Sequence, residues 1–261
     1  MRPMIRKPKV LAAAVAIAGT IMLPGLAHGQ GVEPVDPHPQ VPVLLVPGWG
    51  DAAPEVRPLA ARLIEDGWPE QKVLALTFRD PFGSNEGNAR EVAEAVLRLR
   101  ELSGGEHVDI VAHSMGGLAV RRFLSELPEA EYARRVVFLA TPHRGTLAAV
   151  LAHGEGGREM VPGSPFLSVL NGRSAIGDSV ELLSIRSPLD LIVIPGSSAM
   201  LPGAHNIEVC CPTHHGLLED SLVFDAVRTF LRHGSAGVDD RDSTIPIRAA
   251  QGWWESLGRE R

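Results

Sequence analysis

The chain has 261 residues, of which 44% are hydrophobic and 21% charged, so it is able to bury a full-sized core and one globular domain is expected. Its 27 glycines and 21 prolines follow no fixed repeat, which excludes a collagen-like fibre. The formal net charge is -6, and it becomes -10 without residues 1–29, which carry four basic and no acidic side chains. An acidic surface repels phosphate backbones, so we expect no nucleic acid partner.

The first 29 residues are typical of a secretory signal peptide. A basic stretch precedes an apolar run over residues 10–26, and the small residues Ala27 and Gly29 come just before Gln30. An uncleaved membrane anchor is the alternative, although two glycines and a proline interrupt the apolar run. We therefore predict cleavage near Gly29 and Gln30, which makes the mature protein secreted, either extracellular or periplasmic.

Hydrophobic spacing beyond a Pro-rich leader at residues 30–42 predicts alternating strands and helices. The predicted strands are 43–46, 73–78, 108–112, 136–140, 180–185 and 207–211, and the predicted helices are 54–66, 90–102, 115–127 and 217–231. This alternation predicts an α/β fold with a mostly parallel central sheet covered by helices. The catalytic domain is assigned to residues 43–232, with a Gly-rich insertion at 141–179 that would cover a site and a C-terminal extension at 233–261.

A serine stands between a predicted strand and a predicted helix in the segment His107–Gly117, which reads H-V-D-I-V-A-H-S-M-G-G. This arrangement is typical of a nucleophile elbow, a sharp turn that exposes the Ser114 hydroxyl. The residues two positions away must be very small, and Ala112 and Gly116 meet that demand, while Gly117 lets the helix approach the strand. The strict pattern G-x-S-x-G has glycine where this chain has Ala112. The alternative is an ordinary serine that caps a helix.

This segment resembles the α/β-hydrolase superfamily, and more closely its small secreted bacterial triacylglycerol lipases and esterases, whose elbow commonly reads A-H-S-M-G-G. The similarity covers about residues 41–231. It implies the α/β-hydrolase fold, with helices on both faces of the sheet, and Ser114 as the nucleophile. It also implies an oxyanion hole formed by the backbone N–H groups of Met115 and Trp49. Pro47 stands where the family has histidine in H-G-x-G, but the expected donor is a backbone N–H, which does not depend on that side chain.

A serine hydroxyl needs a base and a third group that orients the base, and in this fold the chain order is serine, acid, histidine. Asp190 follows the strand at 180–185 and is the candidate acid, unless it serves as a turn-forming aspartate. Asp178, which precedes that strand, is the fallback. His214 and His215 are the two histidines between the last strand and the last helix. The family pattern H-x-G-L-L aligns with His214 as the base and leaves His215 as the alternative.

Two other histidines near the predicted site are given structural roles. His113 is interpreted as a packing or orienting residue, because adjacent residues project in different directions at the turn. His143 belongs to a segment that resembles the family near its site, and we interpret it as structural.

Cys210 and Cys211 are the two cysteines of the chain, and they are adjacent. They cannot staple distant segments, and a bond between neighbours would strain the peptide that links them, so folding is not expected to depend on a disulfide. Together with His214 and His215 they invite a zinc interpretation, but adjacent residues on a strand point to opposite faces. We therefore predict no metal and no cofactor, and we expect Cys211 to be a small buried residue.

These residues predict a secreted serine ester hydrolase. The resemblance, which includes residues 160–167, favours small-molecule lipid or other apolar esters as substrates and transient contact with lipid surfaces. An acyltransferase, a thioesterase or a polyester hydrolase would use the same residues. A non-catalytic binding module on a hydrolase scaffold is the alternative from another class, and it predicts that one triad member is missing.

Overall fold

The computed structural model describes residues 41–172, 179–239 and 247–249. The predicted signal peptide, almost all of the Pro-rich leader and Asp178 lie outside these residues. Within the described ranges, no helix combines the length and the apolar character that crossing a membrane would require.

A seven-stranded sheet forms the centre of the described chain. Its strands are β1 Val43–Val46, β2 Val73–Ala75, β3 Val108–His113, β4 Ala133–Leu139, β5 Glu181–Arg186, β6 His205–Val209 and β7 Ile247–Ala249. Their spatial order is β2-β1-β3-β4-β5-β6-β7. The first six strands are parallel, and β7 pairs antiparallel with β6 at the edge. The mostly parallel sheet expected from the sequence is confirmed.

The α-helices of the described chain are α1 Ala53–Glu65, α2 Asn85–Ser103, α3 Gly116–Glu126, α4 Gly154–Glu159, α5 Pro165–Asn171, α6 Ser221–His233 and α7 Ser235–Asp239. Short 3₁₀ helices occur at Glu70–Lys72, Pro128–Tyr132, Leu147–Leu151, Gly196–Ala199 and His215–Leu218. Both α7 and β7 belong to the predicted C-terminal extension.

Two apolar layers cover the two faces of the sheet. One layer packs the sheet against α1 and α6, and the other packs it against α2 and α3. In β1, Val43 and Leu45 face the first layer, whereas Leu44 and Val46 face the second, and all four are fully buried. A strand buried on both faces needs this continuous apolar run. Because the six strands are parallel, their carboxyl ends meet at one edge of the sheet, where the loops with the candidate site residues begin.

The predicted closing helix 217–231 proves to be two elements. A 3₁₀ helix at His215–Leu218 comes first, and α6 starts only after Asp220. The Asp220 carboxylate accepts hydrogen bonds from Leu222 N at 2.8 Å and Val223 N at 3.0 Å. This N-cap fixes the start of the helix and separates it from the preceding turn.

Other boundaries also differ from the sequence prediction, among them the start of α2 and the end of β2. Helix α2 begins five residues earlier than predicted, because the Ser84 side chain accepts a hydrogen bond from Gly87 N and caps the helix there. The strand predicted over 73–78 ends at Ala75, because β2 is an edge strand whose sole partner, β1, is itself only four residues long.

The Gly-rich insertion folds into the 3₁₀ helix at Leu147–Leu151 and helices α4 and α5. Its apolar side chains pack with the first turn of α3 in a cluster of Met115, Leu118, Ala149, Met160, Leu167 and Leu170. The segment therefore lies over the start of α3, which is the helix that follows the predicted elbow.

Candidate active site

Ser114 occupies the turn between β3 and α3 with a left-handed backbone, at φ 51°. L-residues adopt this region at a cost, so the surroundings must hold the turn in place. Ser114 N donates to Leu139 O at 2.9 Å. A Cβ at Gly116 would overlap the carbonyl oxygen of Pro47, and a Cβ at Gly117 would overlap Thr141 Oγ1. Both glycines are therefore required by close approach of the backbone, as the elbow geometry demands.

The buried side chains of Asp190 and His214 contact each other. His214 Nδ1 lies 2.8 Å from Asp190 Oδ2, and the two residues are 4% and 7% exposed. The other carboxylate oxygen, Oδ1, accepts hydrogen bonds from Ile192 N at 2.8 Å and Val193 N at 3.0 Å. Asp190 thus fixes its own turn with one oxygen and contacts the imidazole with the other.

The environment keeps this pair in the charge state that a base requires. Burial by itself raises the pKa of Asp190, but the hydrogen bond and charge of His214 and two backbone amides outweigh it, so the pKa lies below its ordinary value. Burial lowers the pKa of His214, and Asp190 opposes this shift without cancelling it. At neutral pH the pair is therefore a carboxylate beside a neutral imidazole, which is able to accept a proton.

Ser114 and His214 line the same cavity, which has a volume of about 370 Å³. The other lining residues are mostly apolar: Trp49, Asp51, Pro142, Thr146, Ala148, Ala149, Leu151, Ala152, Met160, Ile192, Val193 and His215. Ser114 Oγ has no hydrogen-bond partner among the described residues, so its hydroxyl is free to meet a molecule in this cavity.

His215 has different surroundings from its neighbour. Its side chain is 64% exposed, and its Nε2 lies 3.8 Å from both Asp51 Oδ2 and Glu55 Oε1. The structure thus brings His214, rather than His215, to Asp190.

Trp49 and Met115 lie at the two places where an oxyanion hole was expected. Trp49 belongs to the loop Pro47–Gly50 after β1 and lines the cavity, and Met115 directly follows Ser114. The amides of Gly48 and Gly50, on either side of Trp49, donate to Glu55 Oε2 and to a backbone carbonyl. In the described part of the chain, the amides of Trp49 and Met115 have no such acceptor.

Two acidic residues beside the site were missed by the sequence analysis. Glu55, in the first turn of α1, lies 2.7 Å from His113 Nδ1. Burial would raise the pKa of Glu55, but the hydrogen bond and charge of His113 lower it to about 2. Burial and the neighbouring Glu55 charge raise the pKa of Asp51 to about 6. The signal in the sequence was an acid in the first turn of a helix that follows the Pro-Gly-Trp-Gly loop.

Asp51, Glu55 and His215 each offer a possible metal ligand, and the three atoms lie within 4.8 Å of one another. Among the described residues, this is the group that could hold a metal ion. The Glu55 oxygen in this cluster already contacts His113, so the arrangement is explained without an ion.

The expectation for Cys211 is wrong. Cys210 and Cys211 are both exposed, and a disulfide joins them across a cis peptide bond. Strand β6 ends at Val209, so the two cysteines lie in the following loop rather than on a strand. Their sulfur atoms bond to each other, and the link staples no distant segment.

His143 is a buried histidine, 1% exposed. Its Nε2 lies 3.3 Å from Ser184 Oγ, and burial holds its pKa well below the ordinary histidine value. It therefore remains a neutral packing residue, and it does not line the cavity.

Comparisons with known proteins agree with this geometry. A family model described as the alpha/beta hydrolase fold matches residues 41–155. Lipase B from Aspergillus fumigatus is similar at TM-score 0.66 and 22% identity, over 74% of this chain and 53% of that one. A mature Bacillus licheniformis lipase gives TM-score 0.65 and 17% identity, over 76% and 96% of the two chains. A pyrethroid hydrolase from Sphingobium faniae gives 0.54 and 14%, over 75% and 99%.

The chain has the α/β-hydrolase fold, as the A-H-S-M-G-G elbow indicated, and the family model covers residues 41–155 of its 261 residues. It spans about half the length of the Aspergillus protein and nearly all of the Bacillus and Sphingobium proteins.

Proposed function

We propose that this protein is a secreted serine hydrolase that cleaves apolar carboxylic esters such as acylglycerols. The observation that carries the proposal is the buried Asp190–His214 pair, which opens on the same apolar cavity as the strained Ser114. A carboxylate, a neutral imidazole and a serine are the three groups of a catalytic triad. The carboxylate orients the imidazole, and the imidazole accepts the serine proton.

The reaction proceeds through an acyl-enzyme. Ser114 Oγ attacks the ester carbonyl while His214 Nε2 takes its proton, and Asp190 stabilises the imidazolium that forms. The carbonyl oxygen becomes an oxyanion, which the N–H groups of Trp49 and Met115 stabilise. The C–O bond to the alcohol then breaks, and His214 returns the proton to the leaving alcohol. Water, deprotonated by His214, finally attacks the acyl-enzyme and releases the acid and free Ser114.

The surroundings of the cavity support an apolar substrate. Seven exposed large hydrophobic side chains occupy the 3₁₀ helix at the cavity and the turn around Asp190. We call this set the apolar rim: Leu147, Val150, Leu151, Leu189, Leu191, Ile192 and Ile194. Thr146 Oγ1 joins the two segments, since it donates to Ile192 O and accepts from Ile194 N. An exposed apolar surface continuous with a cavity is typical of a site that meets lipid.

Related reactions would use the same residues. An acyltransferase, a thioesterase or a polyester hydrolase needs the same nucleophile, base and acid and differs in the leaving group or the acceptor. A non-catalytic binding module is disfavoured, because that function predicts an incomplete triad.

A fluorophosphonate probe followed by peptide mass mapping tests the proposal. We expect an adduct on Ser114 in the folded protein and none in Ser114→Ala, whereas Ser125→Ala, a serine further along α3, still labels. A panel of esters of graded acyl length should then show the preferred chain. Absence of both the adduct and ester cleavage in folded wild-type protein would favour the binding module.

Secretion is tested separately. We expect the protein expressed with its full sequence in a bacterium to be exported and to begin at Gln30, as read by N-terminal sequencing. An intact N-terminus on membrane-bound protein would instead favour the uncleaved anchor.

A further inference from the structure

We infer that Glu55 and His113 are positioning residues that hold the loop Pro47–Gly50, the Ser114 turn and the His214 segment in fixed relation to one another. The inference rests on the proposed function and deepens it by adding two residues to the machinery of the same site.

One continuous chain of contacts joins the three segments. Glu55 Oε2 accepts a hydrogen bond from Gly48 N at 3.1 Å, next to the proposed oxyanion donor Trp49. Glu55 Oε1 lies 2.7 Å from Nδ1 of His113, the residue before the nucleophile. The other ring nitrogen of His113, Nε2, lies 3.1 Å from the backbone oxygen of His214. Each of the three parts of the proposed mechanism is therefore tied to this one pair.

The two ring nitrogens of His113 lie against different oxygen atoms. A backbone carbonyl oxygen only accepts, so Nε2 must carry a proton to bond His214 O. Nδ1 faces a carboxylate oxygen, which also only accepts when ionised. Both ring nitrogens of His113 therefore face acceptor oxygens, one of them in the Glu55 carboxylate.

Both members of the pair are withdrawn from water, since their side chains are 0% and 10% exposed. A buried ion pair adds little net stability compared with apolar residues of the same shape, because desolvation offsets the attraction. The pair instead supplies directional contacts, which fix the positions of the three segments relative to one another. His113 also lies against the His214 ring, with centroids 4.6 Å apart.

The pair acts through other residues rather than on substrate. Neither Glu55 nor His113 lines the cavity, which is lined instead by their neighbours Asp51 and His215. Asp51 and His215 are the other titratable groups that face Glu55, at the side nearest solvent.

Kinetics of three variants test the inference. Glu55→Ala removes the link between the segments, so we expect kcat to fall roughly 10- to 100-fold, as misplacement by about 1 Å produces, while KM changes little. Glu55→Gln keeps an oxygen for Gly48 N and offers an amide N–H to a neutral His113, so it should recover most of the lost kcat. This rescue would not occur if the carboxylate mattered only for its charge.

Asp109→Asn is the matched control. Asp109 is a buried carboxylate at the opposite end of the same strand as His113, and it pairs with Arg134. We expect this substitution to lower the melting temperature and leave kcat unchanged. An equal loss of kcat in Asp109→Asn and Glu55→Ala would overturn the inference, as would wild-type kcat in Glu55→Ala.

An NMR measurement tests whether the Glu55–His113 pair exists, independently of activity. With ¹⁵N-labelled histidine, His113, assigned from a His113→Gln sample, should show two protonated ring nitrogens at neutral pH in the wild type and one in Glu55→Gln. A neutral His113 in the wild type contradicts the inference. If the wild type cleaved no ester, the proposed function would fail, and the spectra would still show whether the pair exists.

Discussion

The neighbouring residues His214 and His215 show how strongly local environment separates two identical side chains. His214 is buried against Asp190, whereas His215 is mostly exposed and 3.8 Å from its nearest carboxylates. We therefore predict that His214→Ala lowers kcat for a soluble ester by about 10⁴- to 10⁶-fold, because the base is lost. His215→Ala should lower it less than about tenfold, since it leaves the triad intact. Steady-state kinetics of both variants check this, and equal mild effects would mean that His214 is not the base.

Asp51 carries a charge that the folded protein disfavours at neutral pH. Burial and the Glu55 carboxylate raise its pKa from 3.8 to about 6. A raised folded-state pKa contributes stability that is fully present below the unfolded value and is lost as pH rises through the folded value. The wild type should therefore lose stability between about pH 4 and pH 6 from this group.

Asp51→Asn removes that titration. We expect its melting temperature to match the wild type near pH 4 and to exceed it at pH 8, as thermal unfolding across this range would show. If Asp51→Asn were less stable than the wild type at pH 8, repulsion between the Asp51 and Glu55 carboxylates would not be destabilising the wild type.

The positions of Ser114, Asp190 and His214 after the ends of three strands were predictable, because the apolar runs that form these strands stand out in the sequence. Glu55 was not, because its significance lies in contacts with Gly48 and His113 that only the folded chain creates. A helix pattern assigns an acid to the first turn, but it does not say which distant imidazole that acid meets.

At the level of elements, the elbow depends on how closely α3 approaches β1. A Cβ at Gly116 would overlap the backbone oxygen of Pro47, which no rotamer change relieves. We predict that Gly116→Ala displaces the start of α3 from the loop Pro47–Gly50, lowers the melting temperature and abolishes most labelling of Ser114 by a fluorophosphonate. The control is Gly196→Ala, whose Cβ would meet only the flexible end of Arg186 at 3.5 Å. Similar labelling of both variants would argue against this steric requirement.

Boundaries of elements were predictable where hydrophobic spacing ends and poorly predictable where a polar cap decides. Strand β1 matches its predicted range because all four residues are apolar and fully buried. The start of α6 was missed because the apolar spacing continues through Leu217 and Leu218, while the Asp220 cap begins the helix later. The buried position expected for Cys211 failed for a related reason, since β6 stops at Val209.

At the scale of the whole molecule, the alternation of strands and helices predicted a parallel sheet but not the spatial order of its strands. That order places β3 between β1 and β4, so the loop after β1 and the turn after β3 are neighbours at one edge. The geometry of the candidate site therefore depends on strand pairing between distant segments, which periodicity along one chain does not encode.

The same edge of the sheet carries the apolar rim, and its exposure leads to a prediction about where the protein works. Val150 and Leu191 are 72% and 74% exposed, and neither lines the cavity. If the rim inserts into a lipid surface, each side chain contributes on the order of 1 kcal/mol to binding. Val150→Ser combined with Leu191→Ser should then lower the rate on emulsified triacylglycerol by about tenfold or more. Its kcat/KM for a soluble short-chain ester should stay near the wild-type value.

Leu102→Ser is the control for general loss of surface hydrophobicity. Leu102 is 60% exposed near the end of α2, just before β3 begins, and so lies toward the amino ends of the strands, away from the rim. Its substitution should leave both rates unchanged, because a molecule bound to lipid through the rim turns this end toward water. If the double variant kept the wild-type rate on the emulsion, or if Leu102→Ser slowed it equally, the rim would not be the surface that meets lipid. A lower rate on both substrates would instead indicate that Val150 or Leu191 contacts the acyl group directly.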